Sequence, residues 1–99
     1  MNDHERLYGS AEADLEAAAG RLSTILGPGA AHESLYRGGN YYRWPAAEIH
    51  VVLQHNRELE DELAEPDFPG SLLLIRVEGS SGIRDWDSDL AGVGFRRLR

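Results

Sequence analysis

The sequence predicts an α+β fold, with two helices packed on one face of a mainly antiparallel sheet. Three observations carry this. Two stretches, one toward each end, space their apolar residues as helices do. Between them lie four segments rich in β-branched, aromatic or leucine residues, and these follow one another with no helix between them. Strands grouped in this way pair antiparallel and take their helical cover on one side, whereas strict strand–helix alternation would point to a parallel sheet. The 99 residues suit a single domain, because one core typically serves about 100–150 residues. The expected order is α-β-β-β-β-α-β.

Residues 1–9 read as a flexible lead-in. From Ser10 the spacing turns helical: Leu15, Ala18, Ala19, Leu22, Ile25 and Leu26 fall on one stripe. Ser10 is the expected cap, Glu12 and Asp14 suit the positive end of the helix dipole, and Gly27-Pro28-Gly29 stops the helix. His32 to Arg37 and Asn40 to Trp44 form an expected hairpin around Gly38-Gly39, since a tight turn needs positive φ angles. Alternation sends Tyr42 and Trp44 to one face and Tyr41 and Arg43 to the other. Glu48 to Asn56 is the next strand, with Ile49, Val51 and Leu53 on one face and His50 and Gln54 opposite. Ser71 to Glu78 follows, and its run Leu72-Leu73-Leu74-Ile75 predicts a central strand with both faces at least partly covered. After the turn at Gly79-Ser80-Ser81, Ile83, Trp86, Leu90 and Val93 keep helical spacing up to Gly92 and Gly94. Phe95 to Leu98 would close the sheet as a short strand.

Charge narrows the function classes. The chain carries a net charge of −7, and all of its cations are arginine. An acidic surface lacks the cations that neutralise phosphates, which argues against nucleic acid and against anionic membranes as partners. A basic protein would be attracted. Without cysteine there is no disulfide, thiolate nucleophile or cysteine-ligated zinc, and a reducing cytoplasm is the expected location. No run approaches the roughly 18–20 apolar residues of a membrane span.

The densest chemical feature is the connection from Arg57 to Pro69. Glu58, Glu60, Asp61, Glu62, Glu65 and Asp67 place six carboxylates in ten positions, with Phe68 beside them and Pro66 and Pro69 stiffening the distal end. Two readings stand. A highly charged loop stays solvated and keeps neighbouring strands from pairing with other chains. Alternatively the same charges form a surface that docks on a basic protein, with an aromatic anchor at its edge. The aromatic stretch Tyr36, Tyr41, Tyr42 and Trp44 offers a second surface: one alternating pair fills the core and the other, with Arg37 nearby, lies outside, where tyrosine, tryptophan and arginine favour binding.

The remaining motifs point away from catalysis and from bound cofactors or metals. Asp85, Asp87 and Asp89 have the spacing that opens a calcium loop, but its sixth and twelfth positions, where glycine and glutamate are needed, hold Leu90 and Arg96. His4, His32, His50 and His55 have no ligand spacing, and Glu48 with His50 has no nucleophile or orienting partner beside it. Gly27-x-Gly29 and Gly92-x-Gly94 lack the third glycine of a dinucleotide cradle. Arg96, Arg97 and Arg99 suit a solvated or salt-bridging terminus better than a nucleic-acid site.

His32 to Arg43, taken with Glu65-Pro66-Asp67-Phe68-Pro69, resembles small single-domain bacterial proteins of unknown function. In size and acidity the chain is also similar to bacterial immunity proteins, which neutralise toxins by direct binding. That resemblance implies a non-enzymatic inhibitor of a basic toxin. In that role Glu58, Glu60, Asp61, Glu62 and Asp67 would enter a cationic site, with Phe68, Tyr41 and Trp44 as apolar anchors. The competing expectation is a self-associating structural or regulatory domain, a homodimer joined through its sheet.

Overall fold

The apolar run Leu73-Leu74-Ile75 lies deep in the sheet, within strand β5 (Leu73–Gly79), and all three side chains are fully buried. Around it a computed structural model, describing residues 4–34, 39–45, 49–57, 62–79 and 86–99, places the other elements. These are β1 (His4–Ser10), α1 (Leu15–Leu26), β2 (Ala30–Ser34), β3 (Gly39–Pro45), β4 (Ile49–His55), α2 (Trp86–Ala91) and β6 (Arg96–Arg97). The strands form one six-stranded sheet in the order β2-β3-β4-β5-β1-β6, and every neighbouring pair is antiparallel. The α+β expectation stands.

The N-terminus departs from it. From His4 onward the expected lead-in is a strand, inserted between β5 and β6, so the order is β-α-β-β-β-β-α-β. Leu7 and Tyr8 are both buried although they point to opposite faces. A strand covered on both faces loses the polar–apolar alternation by which strands are recognised, and here only two such residues follow a charged start.

Register separates the two faces. Tyr42, Leu53, Ile75 and Tyr8 lie in one row across β3, β4, β5 and β1, and Trp44, Val51 and Val77 lie in the next row on that face. These residues share a core with Leu15, Ala18, Ala19 and Leu22 of α1 and with Trp86 and Leu90 of α2; we call this the helix face. The far face carries Tyr41, Gln54 and Leu74 in one row and Arg43, Val52, Arg76 and Leu7 in the next.

Helix α1 begins later than Ser10 would have it. Ser10 is the last residue of β1, where its hydroxyl accepts from Glu12 N at 3.1 Å, and Asp14 is the cap, its carboxylate accepting from Ala17 N at 3.0 Å. The helix stops at Gly27, whose φ of 82° suits a residue without Cβ. The exit then folds onto Trp44: the indole Nε1 donates to Gly27 O at 2.7 Å, and a Cβ on Gly29 would stand 2.5 Å from the indole ring. Arg21 ties the start of α1 to the end of α2, pairing with Glu12 and donating to Val93 O at 3.2 Å.

The described part of helix α2 starts at Trp86 and ends before Gly92 as expected, and Ile83 and the turn at Ser80-Ser81 fall outside the described residues. It is held on β1 by the Tyr8 hydroxyl, which donates to Asp87 Oδ1 at 2.5 Å. Burial, with the Asp87 carboxylate beside it, pushes the Tyr8 phenol up to about 12. Beyond β6 the terminal residues keep bonding to β1, through Leu98 N to Leu7 O at 2.8 Å and Leu7 N to Arg99 O at 3.0 Å. Among the described residues no helix is long and apolar enough to cross a membrane.

Candidate functional site: the acidic connection

The described part of the acidic connection is a built loop whose centre is Asn56, only 3% exposed at the end of β4. Its backbone N–H donates to Leu72 O at 2.9 Å, closing the loop at its base, and Leu72 N in turn donates to Ser10 O at 2.8 Å. Its side-chain Oδ1 accepts from Glu65 N at 2.8 Å, while Nδ2 donates to Phe68 O at 3.0 Å and Ser71 O at 2.9 Å. Short asparagine side chains imitate backbone in this way, bonding groups that a turn would otherwise leave unpaired. Two consecutive turns follow, closed by Phe68 N to Glu65 O at 3.0 Å and Ser71 N to Phe68 O at 3.1 Å. Pro66 and Pro69 occupy the second position of each, where a fixed φ is already correct.

Glu65 fastens this loop to the far face of the sheet. Its carboxylate accepts from Arg76 Nη2 at 2.8 Å and from Arg99 Nη1 at 2.7 Å, and its side chain is 12% exposed. Burial pushes its pKa up, but the hydrogen bonds and charges of Arg99 and Arg76 outweigh burial and hold the carboxyl below its ordinary range. Arg76 also reaches Gln54 Oε1 at 3.3 Å and Glu5 Oε1 at 3.4 Å, so one guanidinium joins β4, β5, β1 and the loop. Leu7 and Val52 flank Arg76 in its row and Leu74 is paired with Gln54; all three are buried on the far face and stand outside the helix-side core.

Of the acids expected to face a partner, Glu62 and Asp67 are exposed on this anchored loop and Phe68 is half-buried beside them. Glu58, Glu60 and Asp61 lie outside the described residues, as do Glu48, Tyr36, Arg37 and Asp85. Tyr41 shares the far face and is half-buried, its ring stacked on His32 with centroids 5.3 Å apart. Trp44 is not on this surface. At 5% exposure it belongs to the core, where it seats the exit of α1, and alternation puts it with Tyr42 as the inward pair. Two apolar residues stand where Trp44 was expected to serve: Leu63 and Leu72, at 38% and 47%, are the exposed large hydrophobics of the described chain. Leu63 has a sequence signal, as an apolar residue set among carboxylates, whereas Leu72 opens an apolar run that continues into the buried strand and gives no local sign of its exposure.

Other groups are accounted for by local contacts. His50 Nδ1 lies 3.2 Å from Arg43 Nη2 on the far face. His55 is held below its usual range by burial and by the positive charge of Arg57. Among the described residues no three histidine or carboxylate side chains are grouped to hold a metal ion. Arg97 and Arg99 pair with Asp87, at 3.5 Å, and with Glu65. No family model, curated protein or solved structure matches this chain.

Proposed function

We propose that this chain is a non-enzymatic protein-binding module that docks on a basic protein through its acidic connection, in its sharpest form an immunity-type inhibitor of a basic toxin. One observation carries the reading: the loop bearing Glu62, Asp67 and Phe68 is anchored by Asn56 and by the Glu65–Arg76–Arg99 cluster. A solvating loop needs no such anchorage. A recognition loop gains from it, because a surface already ordered loses less conformational freedom on binding. Glu58, Glu60 and Asp61 extend the same negative charge along the chain, and Leu63 and Leu72 add exposed apolar area to it. Attraction to a basic surface speeds encounter and fades as salt screens it.

The test keeps Glu65 intact and neutralises Glu58, Glu60, Asp61, Glu62 and Asp67 together as Gln or Asn. Immobilised wild-type chain should retain a basic protein from its native cells, and the neutralised chain should hold that protein at least about tenfold more weakly at low salt. Equal retention by both would reject the reading. A second reading, self-association, draws on one observation, that β2 ends the sheet with β3 as its one strand neighbour among the described residues. Sedimentation at micromolar concentration separates the two, a stable dimer supporting the second.

A further inference from the structure

Strand β2 ends the sheet on one side, and its one strand neighbour among the described residues is β3. In an antiparallel ladder alternate residues turn N–H and C=O away from the neighbour, so an edge strand presents a row of backbone groups ready to pair. Natural sheets blunt such edges by shortness, lysine, proline or a bulge. The opposite edge, β6, is two residues long. β2 is longer, at five residues, and its one carboxylate is Glu33. Ala30-Ala31-His32-Glu33-Ser34 contains neither lysine nor proline, and its register with β3 runs unbroken from Ala30 opposite Arg43 to Ser34 opposite Gly39. Ala30 to Glu33 are all exposed.

Beside this edge lies a cleft of about 480 Å³ between the start of α1 and the strands, lined among others by Asp14, Leu15, Glu16, Ala31, Tyr42 and His55. Its lining holds two carboxylates and no arginine. Register places Glu33 on the same side of the sheet as Ala31, Asn40 and Tyr42, which adds a third carboxylate to that side. The other side of the same strands carries His32 opposite Tyr41 and Ala30 opposite Arg43, with His32 and Tyr41 also reaching the border of the cleft. An added strand would therefore meet negative charge on its helix side and an arginine on its far side.

We infer that β2 accepts an extended strand of a basic partner, whose alternate lysine or arginine side chains enter the acidic cleft between α1 and the sheet. Backbone pairing would supply affinity and the cleft would supply selectivity, the division of labour found where peptides extend a sheet. This inference rests on the reading of the chain as a binder of basic proteins, and it names the place and conformation in which such a partner docks.

The probe is a capped heptapeptide of alternating lysine and valine, with a glutamate–valine peptide as control, titrated into the full chain and followed by amide exchange and chemical shifts. The lysine peptide should slow exchange of alternate amides within Ala30–Ser34 and shift Tyr42 and His55, and the glutamate peptide should do neither. Asp14→Asn with Glu16→Gln should weaken the lysine peptide roughly 2- to 30-fold at low salt and leave α1 intact, since asparagine also caps helices. Shifts confined to Glu62–Phe68 would overturn this site while leaving recognition of basic proteins standing. Protection of β2 before any peptide is added, together with a dimer in sedimentation, would assign the edge to a second copy and overturn the inference. Absence of any response to the lysine peptide would also overturn it, and the neutralised acidic connection tests the parent reading separately.

Discussion

On the helix face, Leu53, Ile75 and Tyr8 meet Leu22, Trp86 and Leu90 in a core made almost wholly of apolar side chains. On the far face, buried Leu7 and Val52 flank Arg76 and buried Leu74 pairs with Gln54, beside a polar network of arginine, glutamate, glutamine and a loop held by one asparagine. The same sheet is closed by two chemistries. Apolar cover is non-directional and nearly indifferent to pH, and it weakens in proportion to the area removed. Polar cover depends on each partner being present and correctly charged, because a buried group left unmatched costs more than its bond contributed. The far face can therefore loosen as a local unit while the helix face stays folded.

The sharpest break of this comparison comes from the apolar side. Leu53→Ala, at a fully buried position, should cost about 2–5 kcal/mol and lower the urea midpoint of the whole molecule. If it instead freed only the loop, the two faces would not be separate. Asn56→Ala should cost less, about 1–3 kcal/mol, because it strips partners from Glu65 N and from the carbonyls of Phe68 and Ser71. Its signature is faster amide exchange at Glu65, Phe68 and Ser71, with the exchange of β4 and β5 little changed.

The smallest effect is the most selective. The folded pKa of Glu65 lies below its unfolded value, so the stability it contributes is full above that unfolded value, near about 4.3, and is lost as pH falls through the folded one. Acid should loosen the loop before the core. Glu65→Gln should cost roughly 1 kcal/mol at neutral pH, and it should abolish the acid-sensitive step in loop exchange. An equal response of both faces to acid would remove the distinction. Tyr8 and Asp87 are the polar exception on the helix face, and their link responds at both ends of the pH range: the Tyr8 hydroxyl holds the Asp87 carboxyl below its ordinary range, so that contribution is lost as pH falls through its folded pKa, while the Tyr8 contribution persists below about 10 and is lost as pH climbs toward about 12.

The helix face was the legible one. Its residues recur at helical or strand spacing, so Leu15 to Leu22, Val51 with Leu53, and the run through Ile75 could be placed from pattern alone. β1 escaped because Leu7 and Tyr8 are buried on opposite faces behind a charged start, and Gly9 then breaks the run. That glycine is required by packing: a Cβ there would meet Ser71 Oγ at 2.4 Å. The start of α1 was misplaced because Ser10 and Asp14 are both good caps, and pairing of Ser10 with Leu73 decided between them. At the candidate site the acids themselves were visible, but Glu65 could not be told from Glu62. What separates them is a pair of arginines distant in sequence, Arg76 and Arg99, and no local pattern encodes that meeting.

The place of β1 has a consequence for how the molecule is made. On the ribosome this strand is made before the other five of its sheet, yet both of its neighbours, β5 and β6, follow roughly 60 residues later or more. At translation rates of about 5–20 residues per second, it waits several seconds before either partner exists. During that wait Leu7 and Tyr8 are exposed apolar residues on a nascent chain, and the sheet cannot close until β6 has been made. Closure of this sheet thus waits on segments far apart in the sequence, and any restraint that holds β1 away from β5 and β6 should slow it.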